Sequence, residues 1–194
     1  VNPAKYSGLA AVCGLAVLKT LEKQGLATEI SLKWPNDLVA RGRKLGGILV
    51  EAARDNEGKP FAVCGIGVNV NYTPQEVPDG GLAAIGLSDL HESIPSVDTL
   101  LDEAYRTVTD RVDAWAEQLN TLEEDAGPLA PVHDDYIAHL NWIGERVIAR
   151  SPAGDELARG IFRTVDDFGR ACIETEDGLR TFHFEEASLR PLNE

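Results

Sequence analysis

Apolar and polar residues follow two different periods along the first third of the chain. Residues 6–25 place apolar side chains at helical spacing and end at a glycine, which predicts a helix that covers a sheet. The strands that follow are predicted at residues 27–34, 38–40, 45–50 and 61–71. Strands in immediate succession favour an antiparallel sheet in an α+β domain over a βαβ arrangement.

The pattern changes in the second half of the chain. After a Pro- and Gly-bearing loop at residues 72–81, helices are predicted at residues 97–120 and 129–140. Short strands separated by turns then follow, at residues 146–150, 156–163, 171–174 and 180–184. Such strands indicate a small barrel or sandwich, so the chain divides into a first domain at residues 1–141 and a second at residues 142–194.

The composition is ordinary for a globular protein, but the charge is strongly negative. Of the 194 residues, 43% are hydrophobic and 26% are charged, and the formal net charge at pH 7 is −14. That charge argues against a broad surface for nucleic acid or for anionic membranes. No apolar run is expected to cross a bilayer. Cys13, Cys64 and Cys172 lie in apolar surroundings, which predicts reduced core thiols and a cytoplasmic protein.

The polar chemistry of the chain is concentrated after residue 33. Pro35 fixes its own φ and disfavours helix at the residue before it, so the chain arrives extended and then bends. Asn36 and Asp37 follow as short polar side chains that suit the end of a strand. An Arg-Gly-Arg turn then predicts a hairpin, which would bring Lys44 back toward both of them.

Two motifs in this stretch carry a resemblance to a known family. Lys-Trp-Pro-Asn-Asp at residues 33–37 and Arg-Lys-Leu-Gly-Gly-Ile-Leu at residues 43–49 resemble the signature of biotin–protein ligases, which biotinylate carboxylases. The resemblance implies an α+β fold like that of class II aminoacyl-tRNA synthetases, in which helices cover a mainly antiparallel sheet. It also implies that residues 142–194 form a small SH3-like β-barrel.

The resemblance further implies a reaction in two steps. ATP and biotin give biotinyl-5′-AMP and pyrophosphate, and a lysine of a biotin carboxyl carrier protein then takes the biotin. Lys44 matches the catalytic lysine, whose ammonium would reduce the repulsion between carboxylate and α-phosphate. Asn36 and Asp37 match the pair beside the adenylate. Asn36 would donate to a phosphate oxygen or the anhydride, and Asp37 would either orient the incoming amine or hold Mg²⁺.

Three other residues of the motifs are assigned to ligand binding, with open alternatives. Lys33 is a second cation that would meet phosphate, and a structural salt bridge is the alternative. Trp34 offers either a flat apolar wall for a ligand pocket or a buried core side chain. Arg43 belongs to the densest cationic group of the first hundred residues and is assigned to the nucleotide.

Glycines and an asparagine complete the predicted binding site. Gly46 and Gly47 would let backbone approach a flat ligand, and the resemblance assigns them to biotin in preference to a plain β-bulge. Residues 65–69 lack the third glycine of a dinucleotide fingerprint but resemble the family's Gly-x-Gly-x-Asn strand. In that strand the asparagine meets adenine, which assigns Asn69 to the nucleotide. Arg190 is a candidate contact to the carrier or the nucleotide.

The sequence departs from the family pattern at its start. Biotin–protein ligases carry a basic glycine-rich loop before the helix that opens this chain, and no such run precedes Lys33. The chain begins with Val1, so we expect an incomplete fragment that is poorly active alone. The alternative hypotheses are a lipoate–protein ligase, a non-catalytic carrier-binding module and a structural fragment. No nucleic-acid or membrane partner is expected for this chain, and a homodimer is left open.

Overall fold

The chain builds two antiparallel sheets, one from each half. They are seen in a computed structural model that describes residues 2–71, 73–77 and 81–192. Of the loop predicted at residues 72–81, residues 72 and 78–80 lie outside this description. The sheets and the helices that surround them confirm the predicted α+β class.

The first sheet contains four strands that lie in their order along the chain. They are β1 (Ile30–Lys33), β2 (Asp37–Ala40), β3 (Arg43–Arg54) and β4 (Pro60–Val68). Each pairs antiparallel with the next, as predicted. β3 is longer than predicted because its pairing with β4 continues past residue 50 to the end of both strands.

An apolar helix covers one face of this sheet. α1 (Leu9–Lys23) continues from a 3₁₀ segment at Pro3–Gly8, and most of its side chains are buried. Gly14 lies where a Cβ atom would meet a methyl group of Leu32 at 3.1 Å. Without a side chain there, the helix packs closely on the strand.

The same apolar segment has the size of a membrane span. Pro3–Lys23 is long enough, and an 18-residue window within it has a mean hydropathy of 1.2, so the expectation that no run reaches this length is wrong. The fold buries 67% of its apolar window. Packing on the sheet therefore explains the apolar sequence of this helix without a membrane.

Three further helices lead from the first sheet to the second. α2 (Leu87–Leu90) is a single turn, and α3 (Val97–Leu119) packs against α1 in good agreement with its predicted bounds. The helix predicted at residues 129–140 is divided. A 3₁₀ turn at Ala130–Val132 precedes α4 (His133–His139), which leads into the second sheet.

The second sheet contains five antiparallel strands in the order β8-β7-β6-β5-β9. They are β5 (Arg146–Arg150), β6 (Glu156–Val165), β7 (Ala171–Thr175), β8 (Gly178–Phe182) and β9 (Ser188–Pro191). Four of them correspond to predicted strands. β9 has no predicted counterpart, because four residues that end in proline carry too weak a pattern.

The closure of these strands into a barrel, which the sequence predicts, is not found. Among residues 142–192, the outer strands β8 and β9 each pair on one side only. The order is therefore that of an open sheet.

Both sheets share one hydrophobic core. Buried side chains from the two halves belong to a single continuous cluster. A hydrogen bond also joins the halves: the Trp34 indole N–H donates to the Gly169 carbonyl at 2.9 Å. At the end of the first half, Asn141 N–H donates to the Leu32 carbonyl at 2.8 Å. The domain boundary near residue 141 stays a prediction.

Candidate active site

The predicted hairpin between β2 and β3 is present, and its turn has the conformation that short β-hairpins favour. Arg41 and Gly42 form the two-residue loop and have positive φ angles of 50° and 71°. Positive φ at both central residues is the hallmark of a type I′ turn. The turn returns the chain along β2, so Lys44 comes back toward the start of that strand.

A β-bulge follows the turn in β3. Val39 pairs with Lys44, whereas Leu38 pairs with Gly46, so Leu45 is the extra residue. The Leu45 side chain is fully buried in the core. The bulge thereby anchors β3 at the residue next to Lys44.

Asp37 lies between two lysine ammonium groups. Its Oδ1 is 2.5 Å from Lys44 Nζ, and its Oδ2 is 3.2 Å from Lys33 Nζ. The side chain of Lys33 is 4% exposed, that of Asp37 15%, and that of Lys44 45%. The predicted approach of Lys44 to Asp37 is confirmed. This trio carries a local charge of about +1 within a strongly acidic chain, because two cations face one anion.

Burial changes the protonation chemistry of Lys33. Desolvation lowers the pKa of this ammonium below its ordinary value, Asp37 opposes the shift, and the nearby charges of Arg190 and Lys44 add to it. The short distance to Asp37 makes this contact the buried salt bridge that was the structural alternative for Lys33. Lys33 also lines the charged cleft described below.

Asn36 is tied to β3 through both its side chain and its backbone. Its Nδ2 donates to the Ile48 carbonyl at 2.6 Å, and its own carbonyl accepts from Ile48 N–H at 2.9 Å. An amide group has two N–H donors, so one more donor is available to a ligand. The strand fixes Asn36 beside Asp37.

Asn36 and Asp37, although adjacent in the chain, border two different clefts. The first, here called the apolar cleft, has a volume of about 470 Å³. It lies between the start of α1, β3 and the β6–β7 turn. Its border includes Tyr6, Trp34, Asn36, Tyr136 and Phe168. The second, here the charged cleft, measures about 600 Å³. Its lining includes the side chains of Lys33, Asp37, Lys44, Asn69, Glu76 and Arg190. Three cations of the predicted site thus face one cavity.

Gly46 and Gly47 need to be glycine for different structural reasons. A Cβ on Gly46 would lie 2.2 Å from the Gly67 carbonyl oxygen, so strand packing requires glycine there. A Cβ on Gly47 would lie 3.3 Å from both Asp37 Oδ1 and Lys44 Nζ. The bare backbone of Gly47 lets the Lys44 side chain cross it to reach Asp37. Both glycines also line the charged cleft.

Trp34 is the buried core side chain of its second interpretation, and its role toward a ligand stays a prediction. Its side chain is buried in the core, and its indole N–H is paired with the Gly169 carbonyl. It also forms part of the wall of the apolar cleft. Core packing therefore fixes the orientation of the ring that faces the cleft.

Asn69 lines the charged cleft, but its amide already has backbone partners. Nδ2 donates to the Ile85 carbonyl at 3.1 Å and to the Lys44 carbonyl at 3.3 Å. These bonds tie residues 81–86 to the start of β3, beside the backbone of Lys44. Asn69 therefore supports the start of β3, where Lys44 lies.

The two predicted arginines are placed differently. Arg43 is exposed at the hairpin turn and is absent from the described lining of both clefts. Its charge acts on Asp89 instead. Hydrogen bonds from the Thr73 hydroxyl and the Gly86 N–H lower the pKa of that carboxyl most, and the charge of Arg43 lowers it further. Arg190 lies on β9 and does line the charged cleft. The second sheet thus contributes a cation to a site built mostly from the first.

Comparisons with known proteins agree with this geometry. Residues 1–71 match the biotin/lipoate A/B protein ligase family, and residues 142–190 match the biotin protein ligase C terminal domain. A biotin--[acetyl-CoA-carboxylase] ligase of Mycobacterium tuberculosis is 37% identical over 172 residues, which are 87% of this chain and 57% of that protein. The chain belongs to the biotin–protein ligase family.

Other members of the family are similar over comparable lengths. The biotin--[acetyl-CoA-carboxylase] ligase of Paracoccus denitrificans is 31% identical over 158 residues, which are 79% of this chain and 60% of that protein. The chain thus spans less than two thirds of the length of these ligases. The solved biotin protein ligase from Aquifex aeolicus in complex with biotin and ATP has a TM-score of 0.76 and 24% identity, with 98% of this chain and 75% of that one covered. This likeness establishes the biotin-ligase fold.

Tyr136 lies close to the candidate site, although the sequence pattern did not assign it to the site. The Tyr136 hydroxyl donates to the Pro35 carbonyl at 2.9 Å, directly before Asn36. The ring is buried, and desolvation with a smaller effect of the Asp37 charge raises the pKa of the hydroxyl above its ordinary value. Its helical spacing indicates only a core position, and the separation of 101 positions between Tyr136 and Pro35 hides the contact from sequence reasoning.

The donor set for a metal ion in this ligase-family chain is small. No group of three or more His, Cys, Asp or Glu side chains gathers among the described residues. Asp37 and Glu76 are the carboxylates in the described lining of the charged cleft. Such a set fits Mg²⁺ only in the way typical of nucleotide sites, where one or two carboxylates act together with substrate phosphates and water.

Proposed function

We propose that the protein carrying this chain is a biotin–protein ligase. An oxygen of the biotin carboxylate would attack the α-phosphorus of ATP, which forms biotinyl-5′-AMP and releases pyrophosphate. A lysine amine of a biotin carboxyl carrier protein would then attack the acyl carbon, lose a proton and release AMP. The observation that carries the proposal is the Lys33–Asp37–Lys44 trio, which lines the charged cleft.

Lys44 is the group proposed to stabilise the first step. Two anions must approach each other when the carboxylate meets the α-phosphate. A fixed ammonium lowers that repulsion and stabilises charge that builds at phosphorus, and fixed electrostatic stabilisation of this kind is often the largest catalytic contribution. Asp37 holds Lys44 Nζ at 2.5 Å, and a half-exposed side chain leaves the ammonium open to the cleft. The pair therefore positions the charge before substrate arrives.

The charged cleft is the proposed place for the phosphates of ATP. Lys33, Lys44 and Arg190 line it, which offsets the unfavourable field of a chain with a net charge of −14. Asp37 and Glu76 could hold Mg²⁺ together with the phosphates, and the ion would neutralise part of their charge. In the second step Asp37 could also accept a hydrogen bond from the incoming amine.

A flat glycine surface is the proposed place for the ring of biotin. Gly47 pairs with Gly67, and Gly65 pairs with Leu49, on the strands β3 and β4 beside Asp37. The positions above Gly65 and Gly67 are open, with no other heavy atom closer than 3.9 Å to a built Cβ. A bare backbone surface lets a flat ligand approach closely. This placement keeps the predicted role of Gly47 and extends it to β4.

The remaining parts of the assignment are also proposals. We propose that residues 142–194 act as the SH3-like domain of the ligase, that the protein works in the cytoplasm, and that a homodimer is compatible with it. The match of residues 142–190 to the biotin protein ligase C terminal domain supports the first of these. Arg190 is the described residue through which this domain would reach the nucleotide.

A lipoate–protein ligase is the second candidate, because the family matched by residues 1–71 includes both activities. Two features favour biotin. The relatives at 37% and 31% identity are both named biotin ligases. The match of residues 142–190 is to a domain of biotin protein ligases as well.

The test is formation of the acyl-adenylate by the protein that carries this chain. The protein is incubated with biotin and α-labelled ATP, and labelled biotinyl-AMP and released pyrophosphate are measured, with lipoate in a parallel reaction. We expect biotinyl-AMP and, after addition of a carrier domain, a biotinylated lysine. Lipoyl-AMP in preference to biotinyl-AMP would support the second candidate. Carrier binding without either adenylate would leave only a binding module.

A further inference from the structure

The turn that presents Asn36 and Asp37 is held from outside its own sheet. On one side, the Tyr136 hydroxyl of α4 donates to the Pro35 carbonyl at 2.9 Å. On the other side, the Trp34 indole N–H donates to the Gly169 carbonyl in the β6–β7 turn, also at 2.9 Å. Both bonds connect residues more than one hundred positions apart, and both rings are buried.

The Tyr136 bond acts on a particular peptide plane. The Pro35 carbonyl and the Asn36 N–H belong to the same planar unit, so a hydrogen bond to the carbonyl fixes the orientation of the Asn36 Cα atom as well. From Asn36 onward, β3 takes over: Ile48 bonds to both the side chain and the carbonyl of Asn36, and Asp37 begins the pairing of β2. Tyr136 therefore holds the last peptide before the strand pairing begins.

The helix that carries Tyr136 is itself anchored to both sheets. His133, at its start, bonds through Nε2 to the Val165 carbonyl at 2.6 Å. Just after its end, Asn141 N–H donates to the Leu32 carbonyl of β1 at 2.8 Å. Leu129 N–H donates to the Asp167 carbonyl in the β6–β7 turn at 2.9 Å. A helix fixed at both ends gives the Tyr136 hydroxyl a fixed position relative to Pro35.

We propose that Tyr136 is a positioning residue of the active site. Its hydroxyl fixes the Pro35–Asn36 peptide and thereby sets Asn36 and Asp37 relative to Lys44, although it does not contact the reacting atoms itself. The inference rests on the proposed ligase function. Its physical basis is that loss of the hydroxyl leaves the part-buried Pro35 carbonyl without this partner, and the cost of an unpaired carbonyl favours reorientation of the peptide.

The direct test is Tyr136→Phe in the protein that carries this chain. Phenylalanine keeps the buried ring and removes only the hydroxyl. At saturating ATP and biotin, we expect kcat for biotinyl-AMP formation to fall about 10-fold while KM for ATP changes by less than about twofold. Misplacement of reacting groups by about 1 Å can cost about 100-fold, so a partial loss of orientation fits this range. Tyr105→Phe is the matched control, because Tyr105 is 72% exposed on α3; its kcat should equal that of the parent.

A second readout separates positioning from stability. The side-chain amide signals of Asn36 in a ¹⁵N–¹H NMR spectrum should shift in Tyr136→Phe, whereas those of Asn120, at the end of α3, should not. Unchanged kcat and unchanged Asn36 signals would overturn the proposal. So would a loss of kcat that is fully explained by the unfolded fraction at the assay temperature, since Tyr136 would then be purely structural. If the parent protein makes no biotinyl-AMP, the ligase function fails, but the Asn36 signals still test the positioning.

Discussion

The two sheets of this protein are both antiparallel but use their charges differently. In the first, Asp37 and Lys33 are mostly buried and lie beside a cleft, although burial of charge is costly. In the second, the ion pairs lie at the surface: the side chains of Arg163 and Glu174, for example, are 49% and 50% exposed. Surface pairs cost little and contribute little. Placement of charge, more than its number, thus distinguishes the candidate site from the rest of the molecule.

Replacement of Lys44 should have the largest effect on activity. If Lys44 is the placed cation of the first step, Lys44→Ala should lower the rate of biotinyl-AMP formation by about 100-fold or more, the lower range for loss of a fixed electrostatic stabiliser. A single-turnover assay of the protein that carries this chain measures this. Lys19→Ala is the control, because Lys19 forms an exposed ion pair with Glu22 on α1. Equal rates for both variants would remove Lys44 from the chemistry.

Replacement of a tightly packed glycine by alanine should destabilise both sheets to a similar extent. A Cβ would lie 2.2 Å from the Gly67 carbonyl oxygen at Gly46, and 2.1 Å from the Glu174 carbonyl oxygen at Gly160. Gly46→Ala and Gly160→Ala should each lower the free energy of unfolding by about 1–3 kcal/mol, the usual cost of overpacking. Urea titrations measure this.

The control for the glycine prediction is Gly65→Ala. The nearest atoms to a Cβ there are 3.9 Å away, so the stability should change by less than about 0.5 kcal/mol. If Gly46→Ala proved equally harmless, strand packing would not be the reason for that glycine. The ligand alone would then have to explain why a glycine stands at residue 46.

The buried lysine should give the first sheet a pH dependence. Burial lowers the pKa of Lys33 in the folded protein, whereas the unfolded chain keeps a value near 10.5. Between these two values the unfolded state binds more protons, so stability rises with pH in that window. The free energy of unfolding of the parent, relative to Lys33→Met, should therefore increase as pH rises toward 10.5. A constant difference in urea titrations across this range would contradict the assigned burial.

The sequence predicted the local features of the candidate site better than the long-range hydrogen bonds that hold the site in place. The Arg-Gly turn and the strand pattern were enough to bring Lys44 to Asp37, because both depend on short-range geometry. The partners of Trp34 and Tyr136 were not predicted, since each bond joins distant parts of the chain. Arg190 was only a weak candidate for the same reason. Periodicity shows which face is buried, but it does not show what a buried group will contact.

The smallest expected effect tests the surface side of the comparison. Arg163 bonds through Nε to Glu174 at 2.7 Å across β6 and β7, where both side chains are half exposed. Water screens such a pair, so Arg163→Gln should shift the melting temperature by about 1 °C or less and leave biotinyl-AMP formation unchanged. Calorimetry and the adenylation assay measure these two quantities. A loss of activity without a loss of stability would mean that charges on the second sheet take part in the reaction, and the division between the two sheets would no longer hold.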